Sequence, residues 1–568
     1  MRTVGCSRRI ARRGRIMAAC AAGLCAALAA NGAPAAGKVY PCRWVYVSRS
    51  LTKDQDVADI RRIVGTAAES GLNGMVLTGL SYLDRRDAAY FRRLEAVKAL
   101  CGRRGIEIIP LFFSAGYGGA ILSRDANLAA GLPVRDALFK AAGTAARLVP
   151  DPPVGIVNGR FEDRRGHRVK GFGFHDKPGE VTFVDTKVFR QGGASLRFEC
   201  GRTDQHGHAR VMQEVAVRPH RCYRLTCWVK TDRLAAKGSF RFTVMAGRRT
   251  IAPFDPRVPG TADWRKVTLG FNSLNHDKVR VYAGAWGARG GRFWIDDMRI
   301  EEVGLLNVLR RPGTPVTVRD ERSGRLYEEG RDFARIVDPK LNFRWDRTAP
   351  AIRLLRGRRI ADGQRLRVSY YHGTAVNRGQ VSLCMSEPKV YELWRRQAEQ
   401  IHKHLAPRRY LLSMDEIRAG GSCVACKKRK LSMGQILGEC ITRQHAILKK
   451  INPRAELLIW SDMLDPNHNA RAEYYLVEGD FSGSWKHVPK DLVIVCWYYA
   501  KRAESLGHFS RLGFRTLAGA YYDGDTLENP KGWLAALDKT PGATGIMYTT
   551  WRNKYDLLAA FGELVSKR

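Results

Sequence analysis

The stretch LLSMDEIRAGGSCVAC (411–426) runs apolar, then sets two carboxylates, Asp415 and Glu416, side by side, with a Cys-x-x-Cys at Cys423 and Cys426 behind them. Adjacent acids at the mouth of a pocket suit acid–base chemistry. One protonates a leaving oxygen while a second group stabilises the positive charge that develops at the reacting carbon. Their mutual repulsion favours a raised pKa on one member, as a general acid requires. The plainer alternative is that Asp415 caps a solvated loop.

Such residues need elements to hold them. CRWVYVS (42–48), GMVLTG (74–79) and IEIIPLFF (106–113) read as buried strands, with helical periodicity over 54–71 and 87–105 between them. This β-α-β-α-β rhythm stops at the proline-rich VPDPPVG (149–155) and resumes at about 380. A helix over 387–405, a strand and its exit over 409–417, a helix over 433–451 and strands over 455–463, 491–499, 514–523 and 544–551 follow. Three strands before the break and five after it predict a (β/α)8 TIM barrel interrupted after strand 3. An open doubly wound sheet would want a glycine-rich phosphate turn, and the sequence has no GxGxxG or Walker pattern. Short strands and turn residues over 151–303 predict an all-β jelly-roll domain. A small second β-rich segment over 304–376 carries hairpin signals at Ser-Gly and Asp-Gly. The expected division is a signal peptide (1–36), the first part of the barrel (37–150), the jelly roll (151–303), the small β-rich segment (304–376) and the second part of the barrel (377–568).

In such a barrel chemistry gathers where strands end. Strand four ends in Asp415 and Glu416, and strand five in Trp460, Asp462, Asp465 and His468. Strand six ends in Trp497, Tyr498 and Tyr499, strand seven in Tyr521, Tyr522, Asp523 and Asp525, and strand eight in Trp551 and Arg552. Aromatic walls with a few acids suit sugars, whose C–H faces pack on rings while their hydroxyls bond to carboxylates. The candidate catalytic residues are Glu416 and Asp415. The candidate substrate contacts are Trp460, Asp462, His468, Trp497, Tyr522, Asp523 and Trp551. A loop-forming role stays open for His468, Asp523 and Asp525, and Arg418 either holds a carboxylate or is solvated.

A strand ending in Asp-Glu resembles the catalytic pair of glycoside hydrolase family 20, the β-N-acetylhexosaminidases. The resemblance covers about 40–150 and 377–568. It implies that Glu416 is the general acid/base, that Asp415 orients an acetamido group acting as nucleophile, and that Trp460, Trp497 and Trp551 wall the sugar. Where that family shows His-x-Gly-Gly before Asp-Glu, this chain has Leu412, Ser413 and Met414. VNGRFED (157–163) and GRFWIDDMRIEE (291–302) resemble the opening and closing strands of carbohydrate-binding modules of families 4 and 9, which are jelly rolls. That resemblance implies a structural calcium ion held by Glu162 and Asp297, for which hard oxygen ligands are suited. No cofactor is expected for catalysis.

Composition narrows the class. The net charge is +41, but arginines are scattered along the chain without a basic block, so nucleic acid is not the expected partner and a polyanionic glycan is the better one. Arg8, Arg9, Arg12, Arg13 and Arg15 precede the short apolar run IMAACAAGLCAALAA and the small residues NGAPAA. This predicts a secretory signal and an exported protein (periplasmic, extracellular or cell-surface) with no integral membrane span after its removal. Export permits disulfides. With no second Cys pair at zinc-ribbon spacing, Cys423 and Cys426 are expected to be a disulfide staple or two free thiols. The leading expectation is an exported glycoside hydrolase acting on a poly- or oligosaccharide. The alternative is a non-catalytic glycan-binding protein with a degenerate glycosidase barrel.

Overall fold

In a computed structural model, which describes residues 37–235 and 240–568, eight parallel strands close into a barrel. The expected signal over 1–36 lies outside the described residues. The strands are β1 (Cys42–Val47), β2 (Gly74–Leu77), β3 (Glu107–Phe112), β4 (Arg409–Leu412), β5 (Glu456–Trp460), β6 (Val493–Cys496), β7 (Arg515–Tyr521) and β8 (Ala543–Thr549). They follow one another round the barrel in chain order, and β1 closes it against β8 through Trp44 opposite Met547. Parallel strands are covered on both faces, which is why they read as unbroken apolar runs such as GMVL and ELLIW. Trp44, Tyr46, Val76, Ile109, Leu411, Leu458, Trp460, Val495, Leu517 and Met547 fill the interior. A larger core packs between strands and helices.

Helices α1 (Asp54–Glu69), α2 (Ala88–Arg103), α3 (Pro388–Leu405), α4 (Met433–Ile451), α5 (Arg502–Arg511), α6 (Glu528–Leu537) and α7 (Leu558–Ser566) alternate with the strands. Between β5 and β6 the described chain has only short 3-10 turns and a two-residue strand. Local chemistry fixes the starts. Asp87 caps α2 by accepting the Tyr90 N–H at 2.8 Å, and Ser432 with Gln435 forms a reciprocal capping box on α4. Among the described residues no helix is long and apolar enough to cross a membrane.

The excursion between β3 and β4 is antiparallel β throughout. Two five-stranded sheets stack their apolar faces around Phe198, Phe240, Phe242 and Phe293. A third, six-stranded sheet pairs Arg365–His372 with Leu132–Ala142. The hairpin over 132–148, expected as the end of the barrel's first part, therefore belongs with the small β-rich segment over 304–376. The sandwich is spliced into that sheet rather than directly into the barrel. Leu132–Ala142 (LPVRDALFKAA) has no alternation that marks a half-buried antiparallel strand, so the change of partner was not legible.

The third sheet also shapes the barrel mouth. Asp338, whose side chain is fully buried, is gripped by both terminal nitrogens of Arg347 and accepts the Asn307 N–H at 2.6 Å. Asn307 in turn accepts the Phe343 N–H at 2.9 Å and donates to the Arg344 carbonyl at 3.0 Å. This network holds the turn 342–344 over the barrel. Replacing Arg347 with Ala leaves a buried carboxylate without its partner, so it is expected to destabilise the protein by about 3–5 kcal/mol. The shift of the urea midpoint relative to wild type checks this, and an unchanged midpoint would contradict it.

Candidate active site

The C-terminal ends of the strands open into a cavity of about 1010 Å³. Asp415 and Glu416 lie at its base, and Trp460, Trp497, Tyr522 and Trp551 line it. The rings form a connected wall. Trp497 and Tyr522 are parallel with centroids 6.2 Å apart, Tyr522 meets Trp551 edge-on at 6.1 Å, and Trp551 lies 6.1 Å from Trp460. Tyr46, on β1, backs Trp551 at 5.1 Å. Trp551 and Tyr522 are 44% and 47% exposed, which is unusual for rings this large and leaves their faces open to a ligand.

Glu416 is held from every side. Its backbone is left-handed, with φ +50°, an uncommon conformation for a residue with a side chain. The Asp462 carboxylate accepts its N–H at 2.9 Å, and the Gln380 amide donates to its carbonyl at 2.7 Å. Its side chain meets Arg418 at 2.7 Å on one oxygen and the Tyr117 hydroxyl on the other. Arg418 is also bonded to Gln380 and lies over the Tyr475 ring. Of the two readings of Arg418, the ion pair is the one realised. Gly116 passes so close that a Cβ there would sit 2.0 Å from the Asp415 carbonyl, so the loop after β3 admits only glycine at this crossing.

The carboxylates beneath are buried. Asp415 is pushed up to about 6, first by burial and then by Glu416 beside it; the Ser413 hydroxyl, donating at 2.9 Å, opposes this. Asp462 is pushed up to about 8 by burial and by Asp415. A raised member of the Asp415–Glu416 pair was expected, and the raised one is Asp415. His468 is held down, to about 4, by burial, between Trp497 and Tyr498 at 4.4 Å each.

The structure thus brings seven of the expected residues to one cavity: Asp415, Glu416, Trp460, Trp497, Tyr522, Asp523 and Trp551. Asp462 and His468 do not line it. Asp462 lies under the Glu416 backbone, and His468 props the Trp497 ring. Asp523 reaches the cavity but spends its oxygens on the exit of β8, accepting from the Thr550 hydroxyl and from the Trp551 and Arg552 N–H groups at 3.0 and 3.3 Å. Asp525 pairs with Lys554. Sequence reasoning missed Tyr117, Gln380, Asn342, Phe343, Arg344 and Arg378, which come from the loop after β3, the turn 342–344 and the stretch 378–380 between the third sheet and α3. No periodicity marks such loop residues.

The two expected calcium ligands are engaged by other partners. Glu162 accepts the Gly193 N–H at 2.7 Å, and Asp297 pairs with Arg299 at 2.7 Å and faces Arg160 at 3.7 Å. A cation at Asp297 would compete with these two guanidinium groups for its Oδ1. The Cys423–Cys426 disulfide is not formed either; both thiols are free and buried.

No protein-family model matches the chain, and no curated protein does. Solved structures do. A chitobiase of Flavobacterium johnsoniae aligns over 93% of this chain and 48% of its own, at 9% identity and a TM-score of 0.35. A rhamnosidase of Novosphingobium sp. PP1Y aligns over 90% and 55%, at 10% identity and 0.31. A family 4 carbohydrate-binding module aligns over 26% of this chain and 99% of its own, at 14% identity and 0.19.

Burial makes the proton on Asp462 testable. An acid whose folded pKa is raised binds its proton more tightly when folded, so its contribution to stability is full below the unfolded value and is lost as pH rises through the folded one. The share of stability carried by Asp415 and Asp462 is expected to fall between about pH 4 and 8, while His220, His372 and His468, held down to about 4 by burial, add stability as pH rises to about 6.5, so the difference between wild type and variant isolates the acid. Asp462→Asn, which keeps an acceptor for Glu416 and Asn469, should flatten the upper part of that decline. Chemical denaturation at pH 5 and pH 8 measures it; equal slopes in both proteins would remove the buried proton from the account.

Proposed function

We propose that this protein is a glycoside hydrolase in which Glu416 is the general acid/base and Asp415 positions the reacting sugar. The observation that carries this reading is the placement of Glu416. A carboxylate at the base of a barrel-mouth cavity, ringed by three tryptophans and a tyrosine, is where a stacked pyranose would present its glycosidic oxygen. The barrel with its helices is read as a (β/α)8 TIM barrel, and the sandwich as a jelly-roll carbohydrate-binding module. Export, by a signal over 1–36, is part of the same proposal.

The chemistry follows from the contacts. A sugar stacked on Trp551 and Trp497 brings its leaving oxygen to Glu416, which donates a proton to it and later takes one from water. Tyr117 and Arg418 fix the carboxylate's direction and keep it from swinging to bulk solvent. Asp415, partly protonated near neutral pH, can donate as well as accept, and so can hold an amide-bearing or hydroxyl-bearing substituent on the sugar. Family 20 chemistry, with an acetamido group as nucleophile, is the finer form of this proposal. Arg344, Arg378 and Arg552 at the rim suit a glycan with anionic substituents.

One observation favours the non-catalytic reading. Arg418, with a side chain only 5% exposed, sits 2.7 Å from the Glu416 oxygen. With Tyr117 on the other oxygen, both Glu416 oxygens already have partners, so a glycosidic oxygen reaches the carboxyl only if one of them moves. Hydrolysis of a panel of aryl glycosides decides between the two. Wild type is expected to turn over at least one of them, and Glu416→Gln to lose about 10²–10⁴-fold in kcat, the usual contribution of a general acid. Asp415→Asn should keep the fold and lose less. Binding of glycans without cleavage of any substrate in the panel would establish the binding protein instead.

A further inference from the structure

Cys384, Cys423 and Cys426 meet in the core beside the β4 loop. Their sulfurs stand 3.5, 3.6 and 3.7 Å apart, a nearly equilateral triangle. The three residues are 2%, 2% and 4% exposed. They are the one group of three or more His, Cys, Asp or Glu residues among the described residues whose ligand atoms converge closely enough to hold a metal ion. The edges are too long for a disulfide, whose sulfurs sit about 2.05 Å apart, and a disulfide would join only two of the three. They match the sulfur–sulfur edge of about 3.8 Å that a tetrahedral ion imposes at metal–sulfur bonds of about 2.3 Å.

The surroundings fit the same geometry. A cavity of about 10 Å³ lies against the three cysteines, with Met433 and Gly421 on its other side. That is room for about one atom. Cys423 caps the short turn Val424–Lys427, and the Cys-x-x-Cys spacing puts both sulfurs on the same side of that turn. Arg311, almost fully buried, points one nitrogen at the Cys423 sulfur at 3.7 Å while Glu387 holds the guanidinium at 2.7 Å. A buried cation aimed at a sulfur suits a thiolate, not a neutral thiol, and is the kind of outer contact that orients a metal-bound ligand.

We propose that Cys384, Cys423 and Cys426 bind a soft d10 cation, Zn²⁺ or Cu⁺, as three thiolates, with the fourth position facing Met433. Thiolate and thioether donors select these ions over hard cations such as calcium. The cation would clamp the site's supports. Cys384 follows Gln380, whose amide holds the Glu416 carbonyl, and Cys423 lies on the loop that carries Glu416 and Arg418. Arg311 brings in the β-rich segment, and its Gly313 carbonyl accepts the Val424 N–H at 3.1 Å. A single ion would thus pin three chain segments that sequence separation keeps apart.

Elemental analysis of the full chain, purified without chelator and under reducing conditions, tests this. About one equivalent of zinc or of copper per chain is expected, and which of the two is found names the ion. Cys384→Ser and Cys423→Ser should fall to about a tenth of an equivalent, while Cys440→Ser, a buried cysteine on α4 outside the cluster, should keep the metal. Should the serine variants fail to fold, wild type alone suffices: titration with a mercurial that blocks thiols must release the ion in step with thiol loss, read with a metal-sensitive dye. Glu416→Gln should keep its metal, which separates this proposal from the catalytic one. Wild type that holds and takes up neither ion, a disulfide mapped between any two of the three cysteines, or metal content indifferent to these substitutions and to the mercurial would each overturn it.

Discussion

One short parallel pairing closes the chain's long excursion from the barrel. Leu411 and Leu412 of β4 lie opposite Leu111 and Phe112 of β3, and the whole excursion over 113–408 returns at this pair. Loop-closure entropy grows slowly with length, so a long excursion is tolerable provided its ends are brought close and its own domains fold. The third sheet brings them close. Its hairpin leaves just after β3, and its return strand, Arg365–His372, re-enters beside it. The Leu383 N–H then bonds to the Ala115 carbonyl at 2.8 Å, stitching the outgoing loop to the incoming one before β4 begins. The barrel closes because the insertion is itself a closed unit with adjacent termini.

Left-handed backbone also occurs at two of the strand ends that form the site. Glu416 has a left-handed backbone, and Tyr521, Tyr522 and Asp523 form a left-handed run at the end of β7. Each such residue costs on the order of 1–3 kcal/mol and persists where its neighbours over-determine it. At Glu416 the neighbours are explicit: Asp462 below, Gln380 at the carbonyl, Arg418 and Tyr117 at the side chain. At β7 the Tyr521 N–H is taken by Asn529 at 2.8 Å, and Asp523 collects the N–H groups of the β8 exit. Glu416, Tyr522 and Asp523 line the cavity, and Asp462 supports the first of them from below.

Much of this was legible in the sequence. Covered parallel strands leave continuous apolar runs, and helices leave a 3.6-residue period, so all eight strands could be counted, and the Asp415–Glu416 pair could be placed at a strand end. The aromatic wall followed from reading the residue after each strand. What could not be read was contact across the excursion. Cys384 lies 39 residues before Cys423, outside any metal-ligand spacing, so the Cys-x-x-Cys looked like a pair and not part of a trio. Asp462 and Asp523 were read as sugar contacts because strand-end acids face the mouth by default; burial of one and the backbone bonds of the other turned both into supports. The Glu162 and Asp297 positions matched a calcium pattern in type, and nothing in the sequence signalled that Arg160 and Arg299 would meet Asp297.

The charge pattern of the site separates it from that of the chain. The chain as a whole carries +41, and arginine side chains ring the cavity mouth. At its base the sum is different. With Asp415 near 6 and Asp462 near 8, the buried pair holds about one negative charge less than two free carboxylates would at pH 7, and Arg418 pairs with Glu416. A floor carrying about one negative charge lies under the aromatic wall, and arginines stand at the rim above it. Moving the buried proton would change the floor without touching the rim. The chemistry of the base and the attraction of the surface are therefore separable properties of one cavity, set by burial in the first case and by exposed arginines in the second.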